Sequence, residues 1–384
     1  MINYGKQSIS QDDINAVVEV LKSDYLTQGP LTNEFERQVC NFTGARHAIA
    51  CSNGTVALHL ACKALGLGYG DIAWTVPNSF VATANAVLYC GASVDFVDID
   101  PQTYNLSIEA LELKLQQAQK SGLLPKLIIV VHFAGTSCDM QEVARLSALY
   151  GFRVIEDAAH GLGGSYKGSK IGSNAYSDLT TLSFHPVKTI TTAEGGMVLT
   201  NQSELARQVR LLAGHGITRN AEEWVVNHTA PWYYEQQVLG YNARMSDLQA
   251  ALGVSQLKRI DQFVSRRRDI AAQYEAVLES LGLGYQTQPL DTLSARHLFV
   301  ALLPNFRVDQ KETLFKAMEE QGIRLNCHYI PIPMQPYYRG LGYKPESFPV
   351  SLDYYKRSIS LPIFYDLSLE DVRSICLVLS KFFA

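Results

Sequence analysis

Ser183-Phe184-His185-Pro186-Val187-Lys188, continued by Thr191-Thr192-Ala193-Glu194-Gly195-Gly196, sets one lysine between a hydroxyl-bearing strand end and a pair of tight-turning glycines. Upstream, the apolar run Phe152-Arg153-Val154-Ile155 reads as a strand that ends on Glu156-Asp157 and is followed by Ala158-Ala159-His160 and the turn Gly161-Leu162-Gly163-Gly164. A carboxylate at one strand end and a lysine beyond the next strand suit pyridoxal phosphate. That cofactor needs a lysine for its Schiff base, an acid facing its pyridinium nitrogen and a donor-rich turn for its phosphate. Each residue alone has a plainer reading: a lone lysine is usually solvated, an Asp ending a strand is often a helix cap, and His160 is equally ambiguous. Lys188 and Asp157 become catalytic candidates only together.

Working outward, short apolar segments alternate with helical ones. Strands are expected at residues 47–52, 72–76, 93–97, 126–133, 152–155 and 179–184, with helices at 55–65, 82–89 and 108–119. This alternation implies a mainly parallel sheet covered on both faces. Ile14, Val17, Val18 and Leu21 fall at helical spacing within 11–23, and a second helical pattern runs over 32–42. Residues 246–278 read as one long helix whose run Ser265-Arg266-Arg267-Arg268-Asp269 is most simply a solvated face. Beyond it, a strand at 297–303, a helix at 311–321, a strand at 323–329 and a closing helix at 369–382 read as a small α/β unit. The expected division is 1–245 for a large domain and 246–384 for a carboxy-terminal one.

At 384 residues the chain is long enough for two domains. A net charge of -4 gives no global attraction to nucleic acid or anionic membrane, so an anionic ligand must be held by local donors. The start, Met1-Ile2-Asn3-Tyr4-Gly5-Lys6, lacks a signal-peptide core, and a soluble cytoplasmic protein is expected. Seven scattered cysteines with no Cys-x-x-Cys pair argue against a zinc site, and no metal is expected.

Ser52-Asn53-Gly54-Thr55 lies where a strand meets a helix, and helix-start amides with a hydroxyl can bind phosphate, although an ordinary capping turn reads equally well. Ser183 offers a second hydroxyl from the lysine's loop. Phe80, in Pro77-Asn78-Ser79-Phe80, can stack on a cofactor ring or simply enter a core. Neither G-x-G-x-x-G nor G-x-x-x-x-G-K-[ST] occurs, which weakens dehydrogenase and P-loop readings.

Over nearly its full length the chain resembles the DegT/DnrJ/EryC1/StrS family of pyridoxal-phosphate sugar aminotransferases. The resemblance is carried by Leu26-Thr27-Gln28-Gly29, Ser52 to Thr55, Pro77 to Asn85, Val97-Asp98-Ile99-Asp100, Glu156 to His160, Ser183 to Lys188 with Glu194-Gly195-Gly196, Gly240 to Met245, and His328-Tyr329-Ile330-Pro331. It implies an α/β, aspartate-aminotransferase-like fold (fold type I) in a homodimer with shared active sites. Lys188 would carry the cofactor, Asp157 would pair with its ring nitrogen, and Phe80 would stack on the ring. Gly54, Thr55 and Ser183 would hold the phosphate, with Asn242 reaching it from a second subunit. Nucleotide sugar is implied near Tyr4, Asp24, Tyr25, Leu26, Thr27, His328, Tyr329, Ile330 and Pro331; His160, His185 and Arg244 are further candidates at the cofactor and sugar. Trp232 to Gln236 and His215 to Arg219 look like the subgroup that aminates C4 of a UDP-linked 4-keto-6-deoxy-N-acetylhexosamine of L-altro type for pseudaminic acid, with glutamate as donor. A C4 aminotransferase for a D-configured UDP or dTDP sugar is the alternative. A sugar dehydratase of this fold would be expected to carry histidine in place of Lys188, and a regulator would need a DNA-binding module that the sequence does not offer.

Overall fold

The computed structural model describes residues 1–383, and its centre is a seven-stranded sheet. The strands are β1 (His47–Cys51), β2 (Ile72–Thr75), β3 (Ser93–Phe96), β4 (Leu127–Val131), β5 (Arg153–Asp157), β6 (Leu179–Ser183) and β7 (Gly196–Thr200), in spatial order β1-β7-β6-β5-β4-β2-β3. All neighbours run parallel except β7, which is antiparallel to both β1 and β6. Strand alternation divides the buried side chains between two cores. Leu127 and Ile129 of β4 join the core that holds Ile49, Phe96, Ile155 and Val198, whereas Ile128 and Val130 join one with Trp74 and Val154. Near-continuous apolar strands therefore serve both faces, as a helix-covered parallel sheet requires.

Helices α1 (Gln11–Leu21), α2 (Pro30–Thr43), α3 (Gly54–Ala64), α4 (Ala82–Tyr89) and α5 (Ile108–Ser121) fall where the periodicity predicts them or close by, while α6 (Met140–Tyr150) and α7 (Ser203–Ala213) occupy stretches outside the elements expected from sequence. Ser10 and Asp13 form a reciprocal capping box that starts α1. The carboxy-terminal part carries a three-stranded antiparallel sheet, β8 (Gly284–Tyr285), β9 (Phe299–Leu302) and β10 (Ser358–Leu361), with a closing helix Leu369–Phe383. Phe299 and Ala301 of β9 enter the core of this part, while Val300 and Leu302 pack into the second core of the large sheet.

Three expectations are corrected. The single helix over 246–278 is two, α8 (Asp247–Leu257) and α9 (Ile260–Ser280). They part at Arg259, whose backbone leaves the helical region (φ −108°, ψ 6°) while its guanidinium holds Asp13 Oδ2 at 2.5 Å and the Ser8 carbonyl at 3.3 Å. The Arg266–Arg268 run is not a solvated face. Arg267 is buried and donates to the carbonyls of His297 (3.1 Å) and Ile363 (2.8 Å), while Arg266 and Arg268 donate to the carbonyls of Leu367 and Ser294. Guanidinium groups are well suited to collecting such orphan carbonyls, and periodicity does not register carbonyls supplied by other segments. Finally, residues 323–329 are not a strand but make only single bridges, Ile2 to Ile323 and Asn326 to Ser360. The chain leaves the sheet edge there and delivers His328 and Tyr329 to the cavity described next.

Candidate active site

A cavity of about 690 Å³ opens where the ends of β5 and β6, the start of α3 and the loop before α4 converge. It gathers Tyr4, Gly54, Thr55, Phe80, Asp157, His160, Ser183, His185, Lys188, His328 and Tyr329, all named from sequence. The alternation of β5 aims Asp157 into this space. Its Oδ2 accepts a 2.7 Å hydrogen bond from Thr83 Oγ1, and its Oδ1 accepts the Ala159 amide at 3.2 Å. Burial pushes the Lys188 ammonium down to about 8, with the Asp157 carboxylate pulling the other way. A lysine with so lowered a proton affinity is partly nucleophilic near neutral pH.

The phosphate-sized corner is built by close approach. Asn53 caps α3 by accepting the Val56 amide at 2.9 Å, so the Gly54 and Thr55 amides have no acceptor among the described residues. Gly54 lies against Ser183: a Cβ placed on it would fall 2.8 Å from Ser183 Cβ and 2.9 Å from Oγ. Gly196 is equally constrained, since its Cβ would meet the Asn53 carbonyl oxygen at 2.2 Å. Helix-start amides beside a serine hydroxyl form a ready anion cradle. Lysine, carboxylate and cradle thus fit pyridoxal phosphate.

Opposite the cradle lies a cluster of neutral rings. His160 Nε2 sits 3.2 Å from the Tyr329 hydroxyl, and its ring lies 4.4 Å from that of His297. Burial, then the nearby Lys188 charge, drives His160 well below the usual imidazole range and brings His328 down to about 3. His328 is fixed by Ser360 Oγ at 2.8 Å and packs against Tyr4. Phe80 is 58% exposed and leans on Tyr329 at 5.8 Å.

Within one chain the remaining candidates lie elsewhere. Tyr25 lines a separate cavity between α1, α2 and α8; Leu26 and Thr27 pair with Asp247 and Ser246; and Asp24 adjoins them. Asn242 is exposed and bridged to Gly214, Arg244 is half-buried, and Ile330 and Pro331 lead away from the cavity. Thr83, Glu194 and His297 line it, although sequence reasoning does not single them out as site residues. Thr83 lies one turn beyond Phe80, a spacing that could have flagged it; His297 has no signal beyond opening a strand.

The profile of the DegT/DnrJ/EryC1/StrS aminotransferase family matches residues 7–380. The chain belongs to that family. It is 38% identical over 379 residues to the UDP-4-amino-4,6-dideoxy-N-acetyl-beta-L-altrosamine transaminase of Campylobacter jejuni, covering 97% of this chain and 95% of the relative. To the spore coat polysaccharide biosynthesis protein SpsC of Bacillus subtilis it is also 38% identical, over 96% of this chain and 94% of that one. The solved structure of Helicobacter pylori PseC, an aminotransferase involved in the biosynthesis of pseudoaminic acid, superposes with a TM-score of 0.87 at 30% identity, covering 100% and 99% of the two chains. Solved neighbours include both pyridoxal and pyridoxamine phosphate forms. The protein is a pyridoxal-phosphate-dependent sugar aminotransferase of the aspartate-aminotransferase-like fold. Among the described residues no helix is long and apolar enough to cross a membrane.

Proposed function

We propose that the protein transfers an amino group, with glutamate as donor, to C4 of a UDP-linked 4-keto-6-deoxy-N-acetylhexosamine of L-altro type, the amination step of pseudaminic acid synthesis. The observation that carries this reading is 38% identity, over 97% of this chain, to a transaminase named for that amino sugar. When bound, the cofactor supplies an electron sink for the donor's α-carbon. In this reading Lys188 holds the cofactor and shuttles the proton, and Asp157 keeps the ring nitrogen protonated. Phe80 covers the ring, the cradle of Gly54, Thr55 and Ser183 takes the phosphate, and His160 orients Tyr329. Tyr4, His185, His328 and Tyr329 face the sugar. Asn242, Arg244 and the segment Asp24 to Thr27 lie away from the cavity of their own chain, which suits their service to a second copy in a homodimer. Lysine at position 188 favours transamination over dehydration.

Equal identity to a protein named for spore coat polysaccharide, and not for that amino sugar, leaves room for a second reading, the same chemistry on a D-configured UDP or dTDP 4-keto-6-deoxy sugar. Mass spectrometry of products from a panel of such ketosugars with glutamate, with kcat/KM for each, decides between them. We expect the L-altro-type UDP sugar to lead. A tenfold preference for a D-configured or dTDP-linked sugar, about 1.4 kcal/mol, would reject the first reading and leave the aminotransferase intact.

A further inference from the structure

Glu156 is a buried carboxylate to which the reading above gives no task. It precedes Asp157 on β5, so the two side chains point to opposite faces of the sheet. Its Oε2 accepts the Nε2–H of His132 at 2.6 Å and its Oε1 accepts the Ser177 hydroxyl at 2.5 Å. Burial alone would raise this carboxyl's pKa, but hydrogen bonds from His132, Ser177 and Thr180 hold it below its ordinary value. Burial disfavours a second proton on His132, but Cys138 and Glu156 outweigh it and draw the imidazole up to about 10; a second proton would have to sit on Nδ1, and the Cys138 thiol that would favour it is turned to the Val131 carbonyl at 3.2 Å instead. The backbone decides: His132 Nδ1 already accepts the Cys138 amide at 3.2 Å, so the single ring proton sits on Nε2 and the imidazole brings no net charge. Among the described residues no lysine or arginine pairs with Glu156.

A net negative charge thus lies buried one residue from Asp157, and His132 also ties the two together, donating its own amide to the Asp157 carbonyl at 3.1 Å. Such a charge is costly, and a well-packed apolar side chain would serve the fold as well. Asp157 itself faces Thr83, the Ala159 amide, Lys188 and Tyr329. We infer that Glu156 is a positioning residue whose fixed negative charge, acting across β5 behind Asp157, helps keep a proton on the bound cofactor. The inference rests on the reading of Asp157 as the partner of the ring nitrogen.

The test is a pH titration of the visible absorption of the cofactor-loaded protein, run on the parent, Glu156→Gln, Glu156→Asp and Asp157→Asn. Removing a nearby buried charge is expected to lower the pH at which the proton-carrying, visible-absorbing form is lost, by about one pH unit in Glu156→Gln. Glu156→Asp keeps the charge and should titrate like the parent. An unchanged midpoint in Glu156→Gln overturns the inference, and so does an equal shift in both Glu156 variants, which would trace the effect to packing. A parent-like midpoint in Asp157→Asn rejects the Asp157 reading and this route with it. Glu156→Met, which removes the charge and fills the space with an apolar side chain, carries the same test if Glu156→Gln fails to fold: a downward shift of similar size supports the charge effect, and no shift refutes it.

Discussion

Replacing Lys188 with methionine in cofactor-free protein should make the chain more stable, which is unusual for a site so closely packed. The ammonium is held at about 8, against an ordinary 10.5, chiefly because burial penalises the charge. A difference of one in pKa corresponds to about 1.4 kcal/mol, so holding this lysine charged at neutral pH costs the fold at most about 3.5 kcal/mol. Lys188 is only partly shielded from solvent, which trims the expected gain to about 1–2 kcal/mol. The pH dependence fixes the sign. With the folded value below the unfolded one, the unfolded chain binds more protons between about 8 and 10.5, so parent stability rises with pH across that window. Urea unfolding of dialysed parent and Lys188→Met protein should show the variant more stable at about pH 7, with the gap closing by about pH 10. Equal midpoints at both pH values, or a gap that widens with pH, would refute the claim that Lys188 is held near 8 by burial.

Gly54→Ala should weaken cofactor binding by about ten- to a hundredfold, because the new Cβ falls 2.8 Å from Ser183 Cβ and must push apart the two halves of the cradle. Absorbance titration with pyridoxal phosphate measures it, and an unchanged Kd would remove Gly54 from the cradle. For the shared site, mixed dimers of Lys188→Ala and Asn242→Ala chains should recover activity that each variant lacks, since one of the two sites then carries neither defect. Proven heterodimers that stay inactive would put both residues within one chain.

The large sheet was legible because its signal is local. Apolar runs such as Leu127-Ile128-Ile129-Val130-Val131 state both that they are strands and that both faces are covered. The carboxy-terminal part was harder, for reasons that reside in partners rather than in periodicity. Ser358-Ile359-Ser360-Leu361 looks half polar, yet both serines are buried in β10, and Ser360 is committed to His328. Arg267 looks solvated until the carbonyls of His297 and Ile363 are brought to it across 30 and 96 residues of chain.

The same distinction runs through the site. Asp157 and the Gly54–Ser183 corner could be read because each sits at a strand end or helix start, where one residue type has few other uses, and Lys188 because it stands in the short turn that follows β6. Thr83 escaped notice because threonine in a first helical turn is unremarkable until its hydroxyl is seen on Asp157 at 2.7 Å. Glu156 stands out in sequence only as the neighbour of Asp157, since nothing there shows that His132 and Ser177, 24 residues before and 21 after, converge on it. Groups that would touch the cofactor are fixed by backbone position and leave a local trace. Groups that set the charge state of those contacts are assembled by tertiary structure, so a residue such as Glu156 is recognised only once β4, β5 and β6 are side by side.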